Sequence, residues 1–302
     1  MPDTCVCIAT YRRPEGLERL LRSLAGLAPE TREFEIIVVD NDAARTADPV
    51  VRRAAHDGLA VRYLEEPERN ISKARNRGVH AATGEFVAFI DDDEIAAPDW
   101  LLNLQRALIA AEADAAFGPV IPRFAATPPR WIRELGFYDD RALPTFAELP
   151  WHDTRTSNAL VRTSALAALS HLFDEELGVE GGEDVELFAR LAERGARLIS
   201  VEDARVYEDI GAERLTRNWM VRRYLRNGII IQHVSGRRLS NRKGRALVLW
   251  AVWKSCTCLG RALVHGVTSR RSGIRELFRA VEYLGVVGGF LGLRLREYGR
   301  VR

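Results

Sequence analysis

From the N-terminus to about residue 120, short apolar runs alternate with longer amphipathic segments: TCVCIAT, PEGLERLLRSLAGL, FEIIVVD, VRYLEE, ISKARNRGVHAA, EFVAFID, DWLLNLQRALIAA and ADAAFGPVI. The runs have the length of strands and the segments between them the length and patterning of helices. Parallel strands need such crossovers, and they are buried on both faces, which suits strands that are apolar throughout. The alternation therefore predicts an α/β fold, a mostly parallel sheet with helices on both faces.

One of these strands, Phe86 to Ile90, runs directly into Asp91, Asp92, Asp93 and Glu94, and another ends in VVDND with Asp40. Ligands of open α/β sheets bind at the carboxyl ends of the strands, so both sets of acids are expected along one sheet edge, a candidate nucleotide crevice. Four adjacent carboxylates repel one another and require partners that offset the charge, unless they stand in open solvent. Apolar flanks on both sides argue against open solvent. Pro98-Asp99-Trp100 predicts a first helical turn led by the proline.

Apolar residues make up 47% of the 302 positions and charged residues 28%, which excludes a disordered chain and permits one large domain or two small ones. The start, MPDTCVCIATY, has neither a basic leader nor a signal-length apolar stretch and reads as a cytoplasmic beginning. Cys5/Cys7 and Cys256/Cys258 form two CxC pairs, narrower than usual zinc spacing; Cys5 and Cys7 are expected on one face of the first strand. Charge is unevenly spread. Residues 205–302 hold 21 Lys+Arg against 6 Asp+Glu, while residues 1–204 hold 23 against 36. A basic region of that size suits nucleic acid, anionic lipid or a phosphate-bearing substrate. No zinc-finger or RNA-recognition signature accompanies it, so no nucleic-acid partner is expected.

Between Pro122 and Trp151 the pattern gives way to a proline- and aromatic-rich stretch that reads as a long loop. Regularity resumes with TSNALVRTSALAAL and then GGEDVELFARLAERGARLISV, where Glu183 and Asp184 follow a glycine pair at a helix start. Acids there suit the helix dipole, and they equally suit a general base beside a crevice. The DDDE cluster offers the hard oxygen ligands that Mg2+ or Mn2+ prefer, without the glycine and closing glutamate of an EF-hand.

Taken in order, CIATYRRPEGLERLLRSL, VVDND, NISKARNRG, TGEFVAFIDDDE and GGEDVELF resemble family 2 glycosyltransferases of the GT-A fold, most nearly the bacterial exopolysaccharide enzymes of the succinoglycan type. The resemblance implies a Rossmann-like catalytic domain over 1–210, with a nucleotide-sugar half (1–95) and an acceptor half (96–210), followed by a basic, mainly helical region over 211–302. It implies that Thr10, Tyr11, Arg13 and Asp40 contact the nucleoside, that Arg75 and Asn76 line the donor pocket, and that Asp91 and Asp92 reach the ribose. Asp93 would bind Mg2+ or Mn2+ bridging the diphosphate. Asp184 would be the general base of a single inverting displacement, with Glu183 orienting an acceptor hydroxyl or helping to hold the loop. Where many relatives carry a histidine after the last strand this chain has Tyr207, a poor metal ligand, leaving Arg214, Arg222 and Arg223 to meet diphosphate charge.

The activity so implied is inverting, metal-dependent transfer from a UDP-sugar, UDP-glucose first, to a lipid-linked oligosaccharide in cell-surface polysaccharide assembly. A nucleotidyltransferase would also set acids at strand ends, but no glycine-rich phosphate loop follows the first strand. A non-catalytic sugar-nucleotide or glycan-binding protein would have no need to keep both DDDE and GGED. The tail adds a location. Arg245 to Val267 has the length of a membrane span, but Lys254 and Arg261 interrupt it. Leu249, Val252, Cys256, Leu259 and Leu263 recur at spacings of three and four, with Lys254, Arg261 and His265 expected on the opposite face. Such a helix suits the interface of an anionic membrane, with Trp250 and Trp253 as anchors, or equally packing against its own domain or a dimer partner. The expected location is the cytoplasm, peripheral at the inner face of the cell membrane.

Overall fold

The computed structural model describes residues 3–138, 143–238, 241–268 and 270–295. Among these, the strands are β1 (Thr4–Thr10), β2 (Phe34–Asp40), β3 (Val61–Glu65), β4 (Phe86–Ile90), β5 (Glu94–Ala96), β6 (Ala115–Phe117), β7 (Val120–Phe124), β8 (Asn158–Arg162), β9 (Leu198–Ser200) and β10 (Val206–Ile210). Seven of them form one sheet in the order β3-β2-β1-β4-β8-β6-β9, and β5-β10-β7 form a second, smaller one. Pairing is parallel from β3 through β4, antiparallel on both sides of β8, and parallel again between β6 and β9. The predicted α/β architecture is therefore present.

Strand residues divide between two cores in strict alternation. Val6, Ile8, Ile36, Val38, Phe86 and Ala88 join one cluster, and Cys5, Cys7, Ile37, Val39, Val87 and Phe89 the other. That is the period of two expected of a pleated strand, and both clusters are sealed because helices cover both faces. Helices α1 (Pro14–Ala25), α2 (Asp48–His56) and α4 (Trp100–Ala110) cover the first face; α3 (Ile71–Ala81) and α7 (Glu183–Glu193) cover the second. Cys5 and Cys7 share one face as expected and are buried free thiols.

Three local readings change. The helix after the acidic cluster starts at Trp100 rather than at Pro98: β5 ends at Ala96, and Pro98 and Asp99 form a turn, closed by the Trp100 N–H on the Ala97 carbonyl, with Asp99 as the N-cap. ADAAFGPVI is two strands in two sheets, parted at Gly118-Pro119. A Cβ at Gly118 would overlap the Ala204 carbonyl, and Asn158 Nδ2 clamps this corner by donating to the carbonyls of Pro119 (3.0 Å) and Ala204 (2.7 Å). The stretch read as a long loop contains the end of β7 and the short helix α5 (Arg130–Leu135). A short α6 (Thr163–Ala167) follows β8, and the chain closes with α8 (Arg217–Arg238), α9 (Asn241–Thr268) and α10 (Arg270–Phe290).

The described residues fall into two compact units. Residues 1–123 and 140–209 make the α/β unit; residues 124–139 and 210–297 make a helical unit around α5, α8, α9 and α10. An aromatic group of Phe137, Tyr224 and Phe278 lies at the centre of the second.

Candidate active site

Of the residues assigned to the site from the sequence, all but Arg214, Arg222 and Arg223 lie in the α/β unit: at or just beyond the carboxyl ends of β1, β2 and β4, on α3 (Arg75 and Asn76), on β10 (Tyr207) and at the start of α7. Parallel register sets Thr10 beside Asp40, so the ends of β1 and β2 are level. Two arginines and a backbone N–H engage the four acids of the cluster. Arg75 Nη2 reaches Asp91 Oδ1 at 3.2 Å. Asp92, buried, accepts from Thr10 Oγ1 at 2.7 Å and Arg13 Nη1 at 3.0 Å, and the same Arg13 nitrogen is 2.9 Å from Asp93 Oδ2. Glu94 turns inward, where its Oε2 accepts the Asp91 backbone N–H at 2.9 Å and closes the turn. Burial raises the Glu94 carboxyl well above its ordinary range, and Asp91's charge adds to the effect. Burial raises Asp92 as well, while Arg13 and Thr10 pull the other way.

The two acidic motifs meet through one guanidinium. Arg75 is buried in α3 and, besides Asp91, pairs through Nη1 with Glu183 Oε1. Gly181 and Gly182 have φ of +90° and +92°, a backbone that lets α7 begin abruptly with Glu183 as its first residue. Glu183 is 2% exposed and its Oε2 has no hydrogen-bond partner among the described residues. Burial raises its carboxyl, and Arg75 opposes the shift. Asp184 is half-buried, stands within electrostatic reach of Asp91 and Glu183, and accepts the Val185 N–H at 2.8 Å through Oδ1.

Other residues have more specific tasks than the sequence indicated. Asp40 is wholly buried: Oδ1 accepts from Asp42 N (3.1 Å) and Oδ2 from Ala47 N (2.8 Å) and Tyr63 Oη (3.1 Å), so its carboxylate shapes the loop after β2. Asn76 makes a two-way amide pair with the Phe173 backbone, donating to its carbonyl at 2.9 Å and accepting its N–H at 2.8 Å. Tyr11 carries Arg69 over its ring at 4.4 Å and Arg12 at 5.1 Å, and Arg12 is paired to Asp42 at 3.2 Å. Arg69 and Arg12 were not singled out in the sequence; two arginines around an aromatic are a signal only once the loop ends are known to meet. Asn70, also passed over, caps α3 through Lys73 N and donates to the Glu175 carbonyl at 2.8 Å, tying α3 to the segment before GGED.

Strand β10 pairs antiparallel with β5, with Tyr207 opposite Ile95 and Glu208 opposite Glu94, so the residue standing in for the relatives' histidine is next to the acidic turn. Arg123 covers the Tyr207 ring at 5.5 Å. Arg214, Arg222 and Arg223 lie in the helical unit: Arg214's carbonyl accepts from Tyr138 Oη at 2.9 Å, Arg223 stacks on Trp219 at 5.1 Å, and Arg222 is exposed on α8. Among the described residues no three His, Cys, Asp or Glu side chains converge as a closed metal cage. The aspartates nonetheless present hard oxygens on one turn, 25% of Asp93's side chain being exposed, a donor type that suits a divalent cation such as Mg2+ or Mn2+.

A mostly parallel sheet with acids gathered at its carboxyl edge and a second acidic pair brought to them by a buried arginine is the arrangement of a nucleotide-dependent transferase. The family model for glycosyl transferase family 2 matches residues 5–169. The succinoglycan biosynthesis protein ExoM of Rhizobium meliloti (strain 1021) is 35% identical over 98% of this chain and 95% of its own length. The chain belongs to glycosyl transferase family 2 and is a glycosyltransferase related to succinoglycan biosynthesis. Two solved structures share the fold. The mannosyltransferase PcManGT from Pyrobaculum calidifontis, in complex with GDP-Man and Mn2+, has a TM-score of 0.66 at 18% identity, covering 96% of this chain and 88% of that one. S. aureus TarS 1-349 in complex with UDP has a TM-score of 0.57 at 18% identity, covering 96% and 92%.

Proposed function

We propose that this enzyme transfers a hexose, with inversion, from a UDP-sugar, UDP-glucose first, to a lipid-linked oligosaccharide during cell-surface polysaccharide assembly. In this reading it acts in the cytoplasm as a peripheral protein at the inner face of the cell membrane. The relation to ExoM supports the polysaccharide setting, and the UDP held by TarS supports the donor class. Residues 1–95 would handle the nucleotide sugar, 96–210 the acceptor, and 211–302 form the basic helical region.

The observation that carries the reading is the Arg75 bridge, which joins the acids at the end of β4 to the acids that open α7. Donor and base are thereby juxtaposed. Thr10, Tyr11, Arg13 and Asp40 form the nucleoside end, Asp40 through the loop it closes; Asp91 and Asp92 face the ribose, and Arg75 and Asn76 shape the donor pocket. Asp184 takes the proton of the acceptor hydroxyl as that oxygen attacks the anomeric carbon opposite the diphosphate, and UDP leaves with the bonding electrons. Glu183 Oε2, buried and without a hydrogen-bond partner among the described residues, orients the acceptor hydroxyl by accepting a hydrogen bond. Asp93 would hold Mg2+ or Mn2+, which when bound neutralises charge developing on the leaving diphosphate. Arg214, Arg222 and Arg223 are the cations assigned to that same charge.

Asp184→Asn keeps shape and removes basicity, so turnover should fall by about two to four orders of magnitude with donor binding intact. Proton NMR of the product should show a β linkage. Near-parental turnover in Asp184→Asn, or retained anomeric configuration, would overturn the assignment.

A further inference from the structure

Within the helical unit, α9 is packed the reverse way from a helix of an ordinary water-soluble bundle, its small residues inward and its large apolar residues outward. Where α8 crosses α10, a Cβ on Gly228 would overlap the Glu282 carbonyl, and one on Gly285 the Leu225 carbonyl, so the two backbones touch. Helix α9 turns Ala251, Ser255, Cys258 and Ala262 inward, and Ser255 Oγ donates to the Ala280 carbonyl at 3.3 Å. Its large apolar residues point outward. Leu249 is 71% exposed, Trp253 59% and Leu263 77%. Water would drive those residues inward, whereas lipid gives no such drive and favours small residues between close backbones. A contiguous exposed apolar face of this kind marks a contact surface.

Charge indicates what covers it. From Arg245 to Val264 there is no acid, while Arg245, Lys254 and Arg261 are present, in a region with 21 Lys+Arg and 6 Asp+Glu. Lys254 and Arg261 are two helical turns apart and so line one border of the apolar face, not its opposite; the opposite side is the packed small-residue stripe. Lys254 Nζ lies 5.6 Å from the Trp250 ring and 5.3 Å from the Trp253 ring, a pairing of cations and aromatics suited to a headgroup boundary. His265 lies outside the described side chains. The stretch Arg245–Val264 is 20 residues long, enough to span, but two mid-helix cations favour lying in the interface.

We propose that the helical unit docks on an anionic lipid bilayer through the outward apolar face of α9, with Lys254 and Arg261 at the headgroups. That face would give the peripheral location proposed above its contact surface. Because it lies in the helical unit, vesicle binding and sugar transfer to a soluble acceptor are measured independently, and either can fail alone.

The test uses the full chain in flotation with phosphatidylcholine vesicles, with and without phosphatidylglycerol, at low and high salt. An environment-sensitive fluorophore goes on Cys256, the exposed cysteine of this helix, the other three being buried. Flotation is expected with phosphatidylglycerol and should weaken with salt. The Cys256 label should shift to the blue on the same vesicles. Leu263→Glu, at a site exposed enough to leave the fold intact by circular dichroism, should lower partitioning at least ~10-fold. A protein that stays soluble with phosphatidylglycerol at low salt, or a Leu263→Glu variant that floats as well as the parent, would overturn the proposal. So would a dimer that shields the Cys256 label without lipid, or a protein released from membranes only by detergent.

Discussion

At the scale of single residues, Arg75 answers the question raised by four carboxylates in a row. It neutralises Asp91 on one side and the buried Glu183 on the other, so removing it leaves two acids uncompensated. Arg75→Met should cost about 3–5 kcal/mol in urea unfolding, the range for breaking a buried pair. The loss should be larger at pH 8 than at pH 5, because Glu183 can take up a proton at the lower pH. Adding Glu183→Gln should recover part of it. Glu94 has a different pH signature. Its carboxyl is raised by burial above the ordinary glutamate value of 4.5, so the native state holds its proton longer than the unfolded state does. Its contribution to stability is therefore full below that value and falls as pH rises through the raised one. Glu94→Gln keeps the acceptor for the Asp91 N–H but does not titrate. Its melting temperature relative to the parent should rise from pH 5 to pH 8; a flat difference would mean Glu94 is ionised throughout.

Among elements, glycines set where helices begin and how closely they approach. Gly182 holds φ of +92° directly before α7, and an alanine there should cost about 1–2 kcal/mol and tilt Glu183 and Asp184. Turnover should drop more than donor affinity does, as measured by kcat and KM separately. In the helical unit, Gly228 has no room for a side chain, whereas Gly260 on α9 faces open space. Gly228→Leu should therefore destabilise by about 1–3 kcal/mol and Gly260→Ala stabilise by about 0.5–1 kcal/mol. The two substitutions on one urea curve separate close backbone packing from plain helix propensity. The α/β elements were legible because a buried parallel sheet imposes continuous apolar runs. The break at Gly118 was not, since it depends on Asn158 and Ala204, distant in sequence.

For the whole molecule, binding of the nucleotide product should couple to stability. UDP at about 100 times its dissociation constant adds roughly 2.7 kcal/mol to a native state that binds it, which for a chain of this size raises Tm by several degrees. If Asp93 holds a cation shared with the diphosphate, the rise should be larger with Mn2+ and should shrink on adding EDTA. Equal shifts with and without metal would remove Asp93 from that role and direct attention to the arginines and Tyr207.

The sequence by itself determined the class of fold, the sheet edge that carries the acids and the ordered motifs of the family, because each is written in local patterns: strand-length apolar runs, acids at their ends, glycines before a helix. Only the tertiary structure decided how those acids are kept together and what each one does. Arg75 meets Glu183 across 108 positions of chain, Asp92 is held by Thr10 and Arg13, and Asn76 faces the Phe173 backbone. The same holds for α9. Its periodicity marks an apolar face and a small-residue face, but which of them is buried follows from the packing of α9 on α10, where Ser255 Oγ meets the Ala280 carbonyl, a contact that local sequence does not encode.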